Sequence, residues 1–152
     1  MLELAQLSDL DSINSLVKQA DDLHAAWHPD LFSGADNCFS ADILLEMQKK
    51  RELFVVRMNE QTVAFTRIRI QSIGRVDDVP VRKAMFLEEI CVDEAVRHQG
   101  IGQRIMDDLK SMAKEAGCIS ICLTVYTENE NARALYEKSG FSVSSINMRY
   151  KV

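Results

Sequence analysis

Apolar and polar positions change rhythm along this chain, and each rhythm predicts an element. Leu4 and Leu7 bracket a short opening strand. Leu10, Ile13, Leu16, Val17, Ala20 and Leu23 then recur at helical spacing, which gives a helix one apolar face. Ser8, with Asp11 three residues on, stands where a capping box would. The helix must stop before Pro29, because the residue preceding a proline disfavours helix. A second helix is predicted from Ser40, burying Ile43, Leu44 and Met47. Residues 53–56 read as a strand, Asn59-Glu60 as a turn and residues 62–71 as the returning strand of a hairpin. In that return the apolar phase moves from odd (Val63, Phe65) to even (Ile68, Ile70), which predicts a bulge near Thr66 and Arg67. Residues 74–80, with Asp77-Asp78, form a loop.

Residues 85–92 are the next strand. After a short turn, Ile101, Ile105, Leu109, Met112 and Ala116 trace four helical turns closed by Gly117. Ile119, Ile121, Leu123 and Val125 alternate with Ser120, Cys122 and Thr124, another strand. Strand, helix and strand in succession make a right-handed crossover and a parallel pair. Residues 129–138 form a short helix ended by Gly140, and residues 141–143 and 146–152 two short closing strands. The order βααβββαβαββ predicts an α/β fold, a mixed sheet with helices on both faces.

A chain of 152 residues makes one domain, residues 1–152, with room for a full core. No apolar run is long enough to cross a membrane, and the first residues lack the shape of a signal peptide, so a cytoplasmic protein is expected. Acidic residues outnumber basic ones, 23 to 18, for a net charge of −5. That argues against nucleic acid or an anionic membrane as partner and suits a cationic small molecule. Cys38, Cys91, Cys118 and Cys122 contain no Cys-x-x-Cys pair and have no neighbouring histidine. No metal site is expected from them; Cys91 and Cys122, inside apolar strands, read as core thiols of a reducing compartment.

The chemistry gathers at Arg97-His98-Gln99-Gly100-Ile101-Gly102, where a strand and turn feed the long helix. A helix N-terminus presents unpaired N–H groups and the positive end of the macrodipole, and glycine lets an anion approach that backbone. This reads as a phosphate-binding turn. It is not the dinucleotide fingerprint, which wants glycine or alanine where Ile105 stands, nor a P-loop, which wants Gly-Lys-Ser/Thr.

Arg97-x-x-Gly100-x-Gly102, the order of elements, and the run from Asn129 through Ala132, Leu135, Tyr136, Glu137, Lys138 and Gly140 to Phe141 together resemble the GNAT superfamily of acyl-CoA N-acyltransferases. The resemblance is tight over residues 85–143 and extends to the first 80 residues only in element order. It implies the GNAT fold, a mostly antiparallel mixed sheet with a splayed central parallel pair, and acetyl-CoA as co-substrate. It implies that the backbone N–H groups of His98, Gly100, Ile101, Gly102 and Gln103 cradle the pyrophosphate, with Arg97 and Gln99 completing the loop. Ile90, Cys91 and Val92 would border the pantetheine, the backbone of Ile90 and Val92 pairing with it as an added strand. Asn129, with Asn131 and Ala132 beside it, would meet the pantetheine arm, and Tyr136 would stand near the thioester sulfur. The implied partner is a small amine, with a homodimer open as the assembly.

Acyl transfer to an amine needs a base for the ammonium, an oxyanion donor and an acid for the leaving thiolate. Tyr136, with an ordinary pKa near 10, stays protonated and suits the acid. Glu88 and Glu89 compete for the base. Adjacent in a strand, they are expected on opposite faces, and either could instead pair with Arg67, Arg69 or Arg82. Leu87-Glu88-Glu89 resembles the Leu-Glu-Asp of diamine and polyamine N-acetyltransferases, whose first acid is the base, which favours Glu88. Thr124 stands where a ribosomal-protein-type subgroup keeps its base. His24 and His28, around Trp27 and before Pro29-Asp30, read as part of an acceptor-site lid over residues 24–37, which includes Asp36, or as a structural turn. The expected reaction is transfer from acetyl-CoA to a primary amine of a small cationic metabolite by direct attack. A peptide or protein acceptor and a CoA-binding module without turnover are the alternatives.

Overall fold

The structure is a computed structural model and describes residues 1–32, 38–74 and 81–150. Its elements run β1 (Glu3–Leu4), α1 (Leu10–Trp27), α2 (Ala41–Lys50), β2 (Leu53–Met58), β3 (Gln61–Ile73), β4 (Arg82–Val92), α3 (Ile101–Glu115), β5 (Cys118–Leu123) and α4 (Glu130–Lys138). One sheet holds the strands in the order β1-β2-β3-β4-β5. Every neighbouring pair is antiparallel except β4–β5, which is parallel. This is the mixed α/β sheet that the periodicity predicts.

Each face has its own core. On one, Met85 and Leu87 of β4 and Ile68 of β3 pack with Ile105, Met106 and Leu109 of α3 and with Tyr136 of α4. On the other, Val55, Phe65 and Cys91 pack with Ile13, Leu16 and Val17 of α1 and with Leu44 of α2. Burying a side chain of this size contributes roughly 1.5–3 kcal/mol, so the two helical layers clamp the sheet between them.

Several local expectations shift. The opening strand covers only Glu3–Leu4, and Leu7–Asp9 is a turn of 3-10 helix. Its capping box pairs Gln6 with Asp9, two residues before the predicted Ser8 and Asp11. Asp9 is buried, which opposes its charge, yet bonds from Arg57, Thr62 and the Gln6 amide outweigh that and hold its carboxyl below the ordinary range. α1 ends at Trp27, ahead of Pro29 as predicted. Ser40 caps α2 through the Ile43 amide, but Ile43 itself is exposed, and only Leu44 is fully buried there. Among the cysteines only Cys91 is a core thiol; Cys122 is exposed, because among the described residues no helix packs closely on the face of β5 away from α3.

The largest difference lies after α4. Residues 141–150 form neither predicted strand, so among the described residues β5 is an edge and the parallel pair is not central. Apolar alternation supplies strand propensity but cannot say where a partner edge lies. Residues 75–80 of the predicted loop, residues 33–37 of the predicted lid with Asp36, and residues 151–152 lie outside the described residues.

Candidate active site

The Arg97–Gly102 turn is built as the sequence implies. Arg97 is extended, and its Nε donates to the Val92 carbonyl at 2.9 Å. His98 (φ 64°) and Gly100 (φ 80°) both take the left-handed conformation that turns the chain into α3. No side chain caps α3 at its N-cap, Gly100, so the first-turn N–H groups of Ile101, Gly102 and Gln103 are left for a ligand or water. The two glycines divide their work. A Cβ on Gly100 would meet nothing within 4 Å, so the space before the turn is open and the positive φ calls for glycine. A Cβ on Gly102 would come within 3.0 Å of Leu135 Cδ2 in α4. Gly102 thus also lies against Leu135 of α4, a contact added to the backbone N–H that the resemblance assigns to the anion. Gln103 joins the same contact, its Oε1 accepting from Ser139 Oγ at 3.3 Å. His98 and Gln99 are exposed beside the turn.

Below this turn β4 and β5 part. Their ladder ends at Leu87↔Leu123, while β4 runs on to Val92, still paired with β3 on its other side. Residues 88–92 thus present a β5-side edge that no described strand satisfies, the place where an added strand would pair. Ile90 and Val92 pack towards α3. Cys91 points the other way, its thiol donating to the Leu16 carbonyl at 3.3 Å and pushed up to about 11 by burial. It borders the gap by its backbone alone.

On the α3 side of the gap stands Tyr136. It is 8 % exposed, its ring centroid lies 5.9 Å from that of Phe141, and burial pushes its hydroxyl up to about 12. It is placed by α4, whose N-cap is Asn129, with Oδ1 accepting from the Ala132 amide at 3.1 Å. Asn129 therefore spends its carbonyl oxygen on the helix. Ala132 is half-buried and Asn131 exposed on the same turn.

The carboxylates lie on the α1 side, both of them. The β3–β4 register slips between Arg67 and Ile68: Arg67 faces Glu89 and Ile68 faces Leu87, which leaves Glu88 as the extra residue. The predicted bulge is there, but its extra residue is in β4, and the phase change in β3 comes at a second slip beside Val56 and Arg57. The bulge undoes the alternation that would send Glu88 and Glu89 to opposite faces. Glu88 Oε1 accepts from Arg69 at 2.8 Å, and its Oε2 lies 4.0 Å from Arg67. Arg67 also reaches Glu89, at 3.4 Å to Oε1 and 3.3 Å to Oε2. At Glu89 desolvation raises the pKa against the pull of Arg67. Its Oε2 and the Arg67 Nε are buried without an aligned hydrogen bond.

Beyond them is an aromatic mouth. Tyr126 lies 5.6 Å from His24, 4.7 Å from His28 and 5.9 Å from Phe32, ring to ring, and His24 also meets Trp27. Burial lowers the His24 pKa, with Asp21 opposing it. His28 Nε2 lies 3.4 Å from Glu128. Sequence reasoning named His24, Trp27, His28 and Phe32 but missed Tyr126 and Glu128. The available signal was position: both follow the carboxyl end of a parallel strand, where open α/β sheets bind ligands. Asp30, expected as acceptor-loop charge, lies 3.9 Å from Arg149.

Comparison with known proteins gives this geometry a family. The chain is 33 % identical over 73 residues to the uncharacterized N-acetyltransferase YdgE of Bacillus subtilis, covering 48 % of this chain and 46 % of that one. It is 38 % identical over 66 residues to a probable glucosamine 6-phosphate N-acetyltransferase of Oryza sativa subsp. japonica, covering 43 % and 38 %. The chain thus spans less than half the length of these relatives. Its fold matches a variant of the BH1408 protein of Bacillus halodurans with TM-score 0.92 at 22 % identity, over 100 % of this chain and 99 % of that one. An aminoglycoside N-acetyltransferase AAC(6')-Iy in complex with CoA matches with TM-score 0.71 at 16 % identity, over 100 % and 98 %. The model of the acetyltransferase (GNAT) family matches residues 18–141. From the strand at its centre to the helix that carries Tyr136, the chain belongs to the GNAT acetyltransferase family.

Proposed function

We propose that this chain transfers an acetyl group from acetyl-CoA to a primary amine of a small molecule, by direct attack with both substrates bound. The observation that carries the reading is the free edge of β4 over residues 88–92, with two carboxylates on one face, Tyr136 on the other and an uncapped α3 N-terminus above. Backbone N–H groups from Ile101 to Gln103 would hold the pyrophosphate and the β4 edge the pantetheine. That route leads the thioester into the gap. The family's acetyl donor and the CoA held by a protein of this fold support it.

Glu89 is the proposed base. Its side chain is half-buried with Oε2 covered, its pKa is raised, and that oxygen has no aligned donor, so it can take the ammonium proton directly or through a water. Glu88, which the diamine-type resemblance favours, is held by Arg69 at 2.8 Å and would orient Arg67 and the acceptor. A β4 N–H at the gap would stabilise the carbonyl oxygen as charge develops. Tyr136, protonated at any working pH, would give its proton to the departing thiolate from the opposite face.

For the acceptor, the relatives that act on glucosamine 6-phosphate and the fold neighbour named for aminoglycosides support an amine. Asp21, Glu88, Glu89 and Glu128 against Arg67 and Arg69 leave the site with two more carboxylates than guanidiniums, which supports a cationic amine over an anionic one. Among the described residues no helix is long and apolar enough to cross a membrane. The test is thiol release from acetyl-CoA across a panel of small amines, peptides and buffer alone. Turnover with small amines is expected. Peptide-only turnover replaces the acceptor class, and CoA binding without thiol release replaces the enzyme with a binding module.

A further inference from the structure

The inward stripe of α1 changes character part-way along. Ile13, Leu16 and Val17 are core, and Asp21, His24 and His28 continue the same spacing of three and four. Past residue 20 the helix therefore turns titratable and aromatic side chains inward. His24 and His28 meet Tyr126 there, and Trp27 and Phe32 lie against His24 at 5.8 and 5.1 Å. The contacts among these five rings run from 4.7 to 5.9 Å, the range in which rings attract one another tilted or edge to face. A ring of the core is closed off, as Phe65 is at 2 % exposure. These five are only half-buried, so the mouth keeps a patch of ring surface.

The patch stands beside the carboxylates. β4 and β5 run parallel up to Leu87↔Leu123, and beyond that pair Glu89 follows on one strand and Tyr126 on the other. Asp21 acts on the charge of both Glu89 and His24. His24 is the next inward residue of α1, so the rings begin about one helical turn, roughly 5 Å, beyond the acid end. Burial lowers the His24 pKa against Asp21, so at neutral pH that ring adds no positive charge. Glu128, the carboxylate at the ring end, is already engaged. His28 Nε2 lies 3.4 Å from its Oε1, and Thr127 Oγ1 donates to its Oε2 at 2.9 Å. One end of the acceptor half thus calls for a cation and the other for a flat uncharged body.

We propose that the acceptor is an arylalkylamine, one ammonium joined by a short chain to an apolar ring, with the ring seated among Trp27, Phe32 and Tyr126. The inference rests on the acetyl-transfer reading for its ammonium end, which lies with Asp21, Glu88 and Glu89. Its ring end rests on the ring patch alone. A ring there takes the tilted spacings that the five already keep among themselves. A second ammonium in the same place would find Glu128 taken by His28 and Thr127.

Binding tests this apart from turnover. With CoA in place of acetyl-CoA nothing can be transferred, so calorimetry gives the affinity of each amine whether or not the chain is an enzyme. Phenethylamine is expected to bind at least about tenfold more tightly than n-butylamine, putrescine or glucosamine. Trp27 is the single tryptophan of the chain, so its fluorescence reports the ring patch directly and should shift with phenethylamine more than with n-butylamine. Tyr126→Leu and Phe32→Leu keep apolar bulk and remove a ring. Each should cut the ratio of phenethylamine to n-butylamine affinity about threefold or more, a ratio that a general loss of binding would leave alone. Phenethylamine binding no tighter than n-butylamine, putrescine or glucosamine binding tightest, or a ratio unchanged in both variants would each overturn the arylalkylamine. Absence of thiol release from acetyl-CoA with every amine would instead overturn the transfer reading, and the ring preference in binding would still be decided by calorimetry.

Discussion

The two halves of the candidate site are made of different material. The half proposed for the cofactor, from Val92 through Gly102 to Tyr136, is built mostly from backbone: a positive φ at Gly100, uncapped N–H groups at the start of α3, and a strand edge unpaired among the described residues. The half proposed for the acceptor is built from side chains of four separated stretches: Asp21 to Phe32, Arg67 with Arg69, Glu88 with Glu89, and Tyr126 with Glu128. Backbone sites tolerate many side chains but no change of chirality or approach. Side-chain sites can be rewritten residue by residue while the sheet beneath them stays the same. One half is therefore suited to a constant ligand and the other to a varying one.

Substitutions can break or sharpen this contrast, and the largest effect is expected at their junction. Tyr136→Phe keeps the buried ring and removes the proton donor. Turnover should fall about 10²-fold or more with CoA affinity unchanged by calorimetry. Equal turnover would return Tyr136 to packing alone.

Next comes the base. Glu89 loses its proton at higher pH than an ordinary carboxylate, because burial outweighs Arg67. The wild-type rate should therefore climb through an acidic limb above the usual carboxylate range. Glu89→Gln should cut kcat/KM about 10²-fold where the amine is protonated, remove that limb, and recover at high pH where free amine is abundant. Glu88→Gln should keep the limb and change KM more than kcat. If Glu88→Gln is the variant that loses the limb, the two glutamates exchange roles.

The glycines separate the halves further. Gly100→Val places a branched side chain where the positive φ and the open approach call for none. CoA should bind at least about tenfold more weakly, roughly 1.4 kcal/mol, in a folded protein. Unchanged affinity would remove the phosphate turn from the site. The smallest effect is expected at Gly102→Ala, whose methyl meets only the flexible end of Leu135. About 1 kcal/mol of stability should be lost, a Tm drop of about 2–4 °C, with CoA affinity moving less than in Gly100→Val.

What could be read from the residues follows the same division. Periodicity placed α1, α3, the hairpin and the β4–α3–β5 crossover, because burial of one face imposes its period on the sequence. The Gly100 turn was legible for the same local reason: its conformation restricts its own residue. The side of the sheet on which Glu88 and Glu89 emerge was not, because a bulge is a property of two strands and their register, and the alternation of one strand alone gave the opposite answer. The contact of Gly102 with Leu135 of α4 was not legible either, because it depends on where a later helix packs.

By itself, then, the sequence determined the order of elements, the anion-ready turn and the residue types of the chemistry, since each depends on neighbours a few positions away. The tertiary structure alone decided that both carboxylates share the α1 face with Arg67 and Arg69, that Tyr136 lies on the opposite face, and that among the described residues the strand-patterned segment 141–150 joins no strand. Those facts depend on which distant surfaces meet, and a pattern of apolar positions specifies that a face must be buried without specifying against what.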